Sequence, residues 1–184
     1  TAWVDDTMRD TDAFYAVPPD VDYELEAPAP DGDQLLRFTS AYRTPHPENN
    51  TVYARLFHPK RERATAHRAA VVVLPQWNSD AESHNGLCRI FNFLGIAALR
   101  LSMPYHDVRR PPELERADYA VSSNVARTIH ATRQAVIEAA PLRRLGSPDA
   151  RILLASSWVA AAAAVRETLP ALFIYNRNAP AFTS

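Results

Sequence analysis

Three observations predict an α/β fold, a mainly parallel sheet with an antiparallel N-terminal edge. Residues 69–74, AAVVVL, form an unbroken apolar run, the pattern of a strand buried on both faces of a parallel sheet. Further apolar runs at 96–103, 151–156 and 171–176 alternate with helical patterns, which implies a sheet covered on both faces. Upstream, LLRFTSAYR (35–43) and TVYARLFH (51–58) alternate apolar and polar residues around the turn PHPENN, as an antiparallel pair does.

Taken in order, residues 1–34 read as an N-terminal extended arm, acidic and punctuated by AVPPD and APAPDGD. Its aromatics Trp3, Phe14, Tyr15 and Tyr23 imply that it packs on something. The domain proper is expected over 35–184. After the antiparallel pair, PKRERATAHR (59–68) is a charged, solvated connector. The strand 69–74 runs into Pro75, and Asn78, Ser79 or Asp80 offers a side-chain oxygen to cap a following helix. That helix is expected to reach Leu94, with Gly95 as its C-terminal cap. IAALRLSM (96–103) is the next strand, ended by Pro104. A helix over 121–139 carries Val121, Val125, Ile129 and Val136 as one apolar stripe expected to face the sheet. Thr132 lies in that stripe, where its hydroxyl can bond a carbonyl of the previous turn. RILLAS (151–156) is a strand, WVAAAAAVRETL an Ala-rich helix and ALFIYN (171–176) a last strand.

The totals bound the function. The formal net charge of −1 supplies no basic or acidic excess, so no nucleic-acid or membrane partner is expected. The short basic runs at 60–63 and at Arg109-Arg110 do not change this. The acidic N-terminus has no apolar signal core, and Cys88 is the single cysteine, which together lead to an expected cytoplasmic location. The 15 prolines outnumber the 4 glycines, where about 7% glycine is typical. Neither GxGxxG nor GxxxxGK occurs, so no Gly-rich phosphate loop is present. No HxxxH or CxxC pair occurs, and His106-Asp107 alone offers too few ligands, so neither a metal nor a cofactor is expected.

The junction VVVLPQWNSD is the informative stretch. In open α/β sheets ligands bind beyond the C-terminal ends of strands. There the N–H groups of Gln76 and Trp77 lack ladder partners and can point at an anion or a developing oxyanion. The local pattern alone favours a capped helix start with Trp77 packed into the core. The order of the elements, with LPQWN and LRLSMPYHD, resembles the first half of an α/β hydrolase. More narrowly, it is similar to uncharacterised bacterial α/β hydrolases related to dienelactone hydrolases and acetyl xylan esterases. The resemblance covers roughly residues 35–137 and fades from about Glu138. It implies an ester-like small-molecule substrate, an oxyanion-hole N–H at Gln76 or Trp77, and a pocket bordered by Tyr105 and His106.

The same resemblance places a nucleophile after the strand 151–156. Ala155-Ser156-Ser157-Trp158-Val159 stands where GxSxG is expected. Ser157 takes the nucleophile position, both glycines are absent, and Val159 crowds the turn with its β-branch. No histidine follows His130, so the triad is incomplete and the domain is expected to be truncated or impaired at its C-terminal side. Two functions follow: an esterase-type serine hydrolase, or a catalytically silent α/β domain binding a small molecule or protein partner.

Overall fold

The computed structural model describes residues 2–17, 21–59, 69–142 and 151–155. Six strands form one sheet in the order β1-β2-β3-β5-β4-β6, with β1 at Tyr23–Leu25, β2 at Gln34–Thr39, β3 at Thr51–Phe57, β4 at Ala69–Val73, β5 at Ala97–Leu101 and β6 at Arg151–Ala155. β4 lies between β5 and β6 and pairs with both in parallel. β2 and β3 are the expected antiparallel pair, joined by a 3-10 turn over Pro47–Asn50. The α/β class and the antiparallel N-terminal edge stand. Among the described strands the parallel part is β4, β5 and β6. The pairings β1–β2, β2–β3 and β3–β5 are antiparallel.

Side chains alternate between the two faces of the sheet. Val72, Leu99, Leu101, Ala54 and Val52 turn one way and pack with Ala139 and Leu142 of α4, which spans Val125–Leu142. Val71, Val73 and Ala98 turn the other way, where α3 (Asn85–Phe93) brings Leu87, Cys88 and Phe91. Cys88 is fully buried, and that burial pushes its thiol pKa up to about 12. α3 ends as expected: Gly95 takes φ 82, a left-handed value that costs glycine little, and its N–H bonds the Asn92 carbonyl at 3.0 Å. It begins later than the caps at 78–80 imply, with His84 (φ 71) as the residue before it.

Two expectations change. The arm read as extended contains helices α1 (Ala2–Arg9) and α2 (Thr11–Phe14). Neither glycine nor proline occurs before Pro18, so nothing breaks a helix there, and Asp10 caps α2 by accepting the Ala13 N–H at 2.8 Å. Its aromatics do find a partner: Trp3 lies 5.8 Å from the His130 ring, and the Arg133 guanidinium sits 4.4 Å over Phe14. The second change is the stripe on α4. Val125 is 66% and Val121 55% exposed, and Val136 is also exposed. The buried face runs through Ala131, Gln134, Ala135, Glu138 and Leu142 instead. Its polar members are held by remote partners described below, Glu138 by Arg109 and Gln134 by Asn49, so an apolar count misses them. Thr132 Oγ1 does bond the Thr128 carbonyl, at 2.9 Å. The helix and strand expected at 158–169 and 171–176 lie outside the described residues, as does the charged connector from residue 60.

Candidate functional site

β4 and β5 run parallel and stop at the same end of the sheet, where Pro75 and Pro104 offer no N–H to a ladder. A mostly apolar cleft of about 170 Å³ opens there. Pro75, Trp77, Met103, Pro104 and His106 line it from the strand ends. Val121 and the small residues Ala131 and Ala135 line it from α4 and the segment before it. The exposed Val121 is therefore a wall of the cleft. Trp77 is exposed at the cleft and is not the core residue that a simple capped helix start would make it.

The junction after β4 is clasped from two directions. Asn78 sits at φ 59, a left-handed conformation that asparagine tolerates better than most residues. Its N–H donates to His106 Nε2 at 2.9 Å. Its Oδ1 accepts the Ala117 N–H at 3.1 Å, and Trp77 Nε1–H donates to the Ala117 carbonyl at 3.0 Å. The Arg116 guanidinium lies 4.5 Å over the Trp77 ring, in cation–π range. His106 is 5% exposed. Its other nitrogen, Nδ1, is 2.8 Å from the Pro104 carbonyl. A carbonyl only accepts and an amide N–H only donates, so Nδ1 carries the proton and Nε2 is bare. Burial lowers the His106 pKa below the ordinary value and keeps the ring neutral.

The loop after β5 is wound tightly, with Tyr105 at φ 66 and Asp107 at φ 50. Such values in a bulky tyrosine need support from outside. The Tyr105 N–H donates to Asn49 Oδ1 at 2.9 Å, and its ring packs edge-on against His46 and Tyr119. Asp107 and His106 are neighbours in sequence but serve different sides. The Asp107 carboxylate accepts from Arg100 at 2.9 Å and from the Ser102 hydroxyl at 3.1 Å. Arg100 also donates to the carbonyls of Asp80 and Ser83, which fixes the loop ahead of α3.

Behind the loop, fully buried Arg109 grips Glu138 with two bonds of 2.7 and 2.8 Å. It also donates to the carbonyls of Ser102 and Asn49. Gln134 Nε2 bonds Glu138 Oε1 at 2.8 Å, and Asn49 Nδ2 bonds Gln134 Oε1 at 2.9 Å. A buried charge is tolerated only when paired and hydrogen-bonded in this way. The network ties α4, the turn 47–50 and the loop 102–109 into one frame for the cleft.

The structure thus brings Trp77 and His106 together at the cleft. Gln76 is exposed beside it, and Tyr105 faces the aromatic cluster of His46 and Tyr119. Ser157 lies outside the described residues. Among the described residues no hydrogen bond is made by the backbone N–H of Gln76 or Trp77. The sequence offers Asn78 only as a helix cap and gives no sign of Ala117, whereas Asn78 bonds His106 and Ala117 across the junction. Of the described histidines, only His106 lines the cleft. His58 bonds Gln34, His130 bonds Tyr42, His46 faces Glu113, and His84 precedes α3. Among the described residues no group of three His, Cys, Asp or Glu side chains could hold a metal ion. No described helix is long and apolar enough to cross a membrane.

No protein-family model and no curated protein sequence matches this chain. Solved structures do. An acetyl xylan esterase from Paenibacillus sp. R4 superposes with a TM-score of 0.53 at 12% identity, over 83% of this chain and 50% of the esterase. Acetyl xylan esterase 1 from Thermoanaerobacterium sp. JW/SL YS485 gives a TM-score of 0.49 at 13% identity, over 79% of this chain and 49% of that one. By the first of these superpositions the chain has an α/β-hydrolase-like fold, and it spans about half the length of these esterases.

Proposed function

We propose that this chain carries the oxyanion side of an esterase-type serine hydrolase site, of the bacterial group related to dienelactone hydrolases and acetyl xylan esterases, acting in the cytoplasm on a small ester. One observation carries the reading. The register Val73↔Ala155 sets the end of β6 level with the end of β4, and Ser157 follows Ala155 by two residues in the sequence. In this reading Ser157 Oγ attacks the acyl carbon, and the N–H groups of Gln76 and Trp77 receive the developing oxyanion. The acyl group takes the apolar cleft against Trp77, Val121 and Ala135.

A serine nucleophile needs a base to take its proton. His106 is the one described histidine at the cleft, and both its ring nitrogens are already engaged. That observation favours a second reading, a silent α/β domain that binds a small molecule in the same cleft. A fluorophosphonate probe separates the two. With His106 engaged, the 184-residue chain is expected to label weakly. Weak labelling still abolished by Ser157→Ala supports the hydrolase site, and strong labelling lost in that variant shows that a base reaches Ser157. Labelling equal in parent and variant removes Ser157 from the proposal and leaves the silent domain.

A further inference from the structure

We infer that His106 is a positioning residue, a proton-sensitive clasp that holds the Pro75–Asn78 junction in one conformation at the mouth of the cleft and releases it when the ring is protonated. The inference deepens the proposed function, on which it rests only for what the Gln76 and Trp77 amides do once held.

The geometry leaves the ring one state. The Pro104 carbonyl accepts a hydrogen bond from Nδ1–H, and the Asn78 N–H points at Nε2 from a residue 28 positions away. Adding a proton to Nε2 would set two donors face to face, so the Asn78 bond cannot survive protonation. Asn78 is already in a left-handed turn, so loss of that bond removes one of the partners that hold it there. The other partner is Ala117, which binds both Asn78 Oδ1 and Trp77 Nε1–H. Ala117 thus couples the Asn78 turn to Trp77, a wall of the cleft, so a change at Asn78 is felt at that ring and not merely at one loop amide.

The charged groups around the ring are few. Asp107, on the same loop, favours the protonated ring, but its carboxylate is turned to Arg100 and Ser102. Arg109 and Arg100 oppose protonation, as does burial, the largest of these causes. From α4 the cleft presents Ala131, Thr132 and Ala135, none of which titrates in this range. From the junction it presents Trp77, with the Arg116 guanidinium 4.5 Å over its ring. Because the folded pKa is depressed, the clasp is intact at neutral pH. It is lost as pH falls through that depressed value, below the ordinary histidine pKa of about 6.5.

The test is NMR on the uniformly 15N-labelled chain, titrated from about pH 8 to about pH 4.5. The His106 ring is expected to show the Nδ1–H tautomer at neutral pH. Its titration midpoint should fall below about 6.5, and the Asn78 amide and the Trp77 indole N–H signals should shift with that same midpoint. An Nε2–H tautomer, or an Asn78 amide indifferent to the ring, would overturn the clasp. Two variants extend the test. His106→Ala should speed Asn78 amide exchange by about tenfold. His106→Gln, whose side-chain carbonyl can still accept the Asn78 N–H, should recover part of that protection and abolish the shared midpoint. If Gln recovers nothing while Asn78 still titrates, the clasp is wrong. If the alanine variant fails to fold, the titration of the parent chain decides alone. None of these readings involves catalysis: absent probe labelling with an intact co-titration would sink the hydrolase reading and leave the clasp standing.

Discussion

Asn78 joins a backbone that few residues adopt to a side chain that holds another loop. Its φ of 59 is tolerated by glycine and, at modest cost, by asparagine, while a β-branched residue there is strained by about 1–2 kcal/mol. Its Oδ1 bond to the Ala117 N–H contributes about 1 kcal/mol more. Two substitutions separate these contributions. Asn78→Gly keeps the turn and loses the bond, so it should lower stability by about 1 kcal/mol in urea unfolding. Asn78→Val loses both and should cost about 2–3 kcal/mol. Equal midpoints for the two variants would mean that the left-handed turn is not what the position requires. The site was legible at this scale only in part. A strand ending at a proline points to the cleft, and Trp77 and His106 do meet there. Asn78 reaches a histidine 28 residues on and an alanine 39 residues on, and spacing within a motif cannot reveal such contacts.

At the scale of elements, α4 shows where pattern reading fails. Valines at 121, 125 and 136 with Ile129 make the cleaner apolar stripe, yet the helix turns Gln134 and Glu138 inward because Arg109, 29 residues before Glu138, neutralises and bonds that carboxylate, while Asn49 and Glu138 bond Gln134. Periodicity weighs side chains one at a time and is blind to a remote partner. Val125→Asp should therefore change stability by no more than about 0.5 kcal/mol, since the residue is exposed and a carboxylate suits the first turn of a helix. Ile137→Asp should cost about 3 kcal/mol or more, because it strands a carboxylate in the core. Thermal melts of the two variants check both values, and the reverse ranking would restore the valine stripe. The strands were the readable elements: β2, β3, β4 and β5 begin and end within a few residues of their apolar runs, because burial on the sheet is a demand that neighbouring residues share.

Across the whole molecule, a sheet whose β1–β2–β3 side is antiparallel and whose β4–β5–β6 side is parallel has one end where β4 and β5 stop together at the cleft, and everything that holds the cleft converges on it. The frame of Arg109, Glu138, Gln134 and Asn49 supports the cleft from the α4 side, and Arg100 fixes the α3 side. The α3 side carries Cys88, the chain's single cysteine. A thiol with no exposure and a pKa pushed up to about 12 meets an alkylating reagent only when α3 lifts from the sheet. The chain thus contains its own clock for that event. Iodoacetamide added under native conditions should modify it about a thousandfold more slowly than in strong urea, read by mass spectrometry over time. Comparable rates in the two conditions would mean that α3 is not docked. The ratio of the two rates is the fraction of time the sheet stands uncovered on that side, measured without a substrate, a ligand or any knowledge of the reaction.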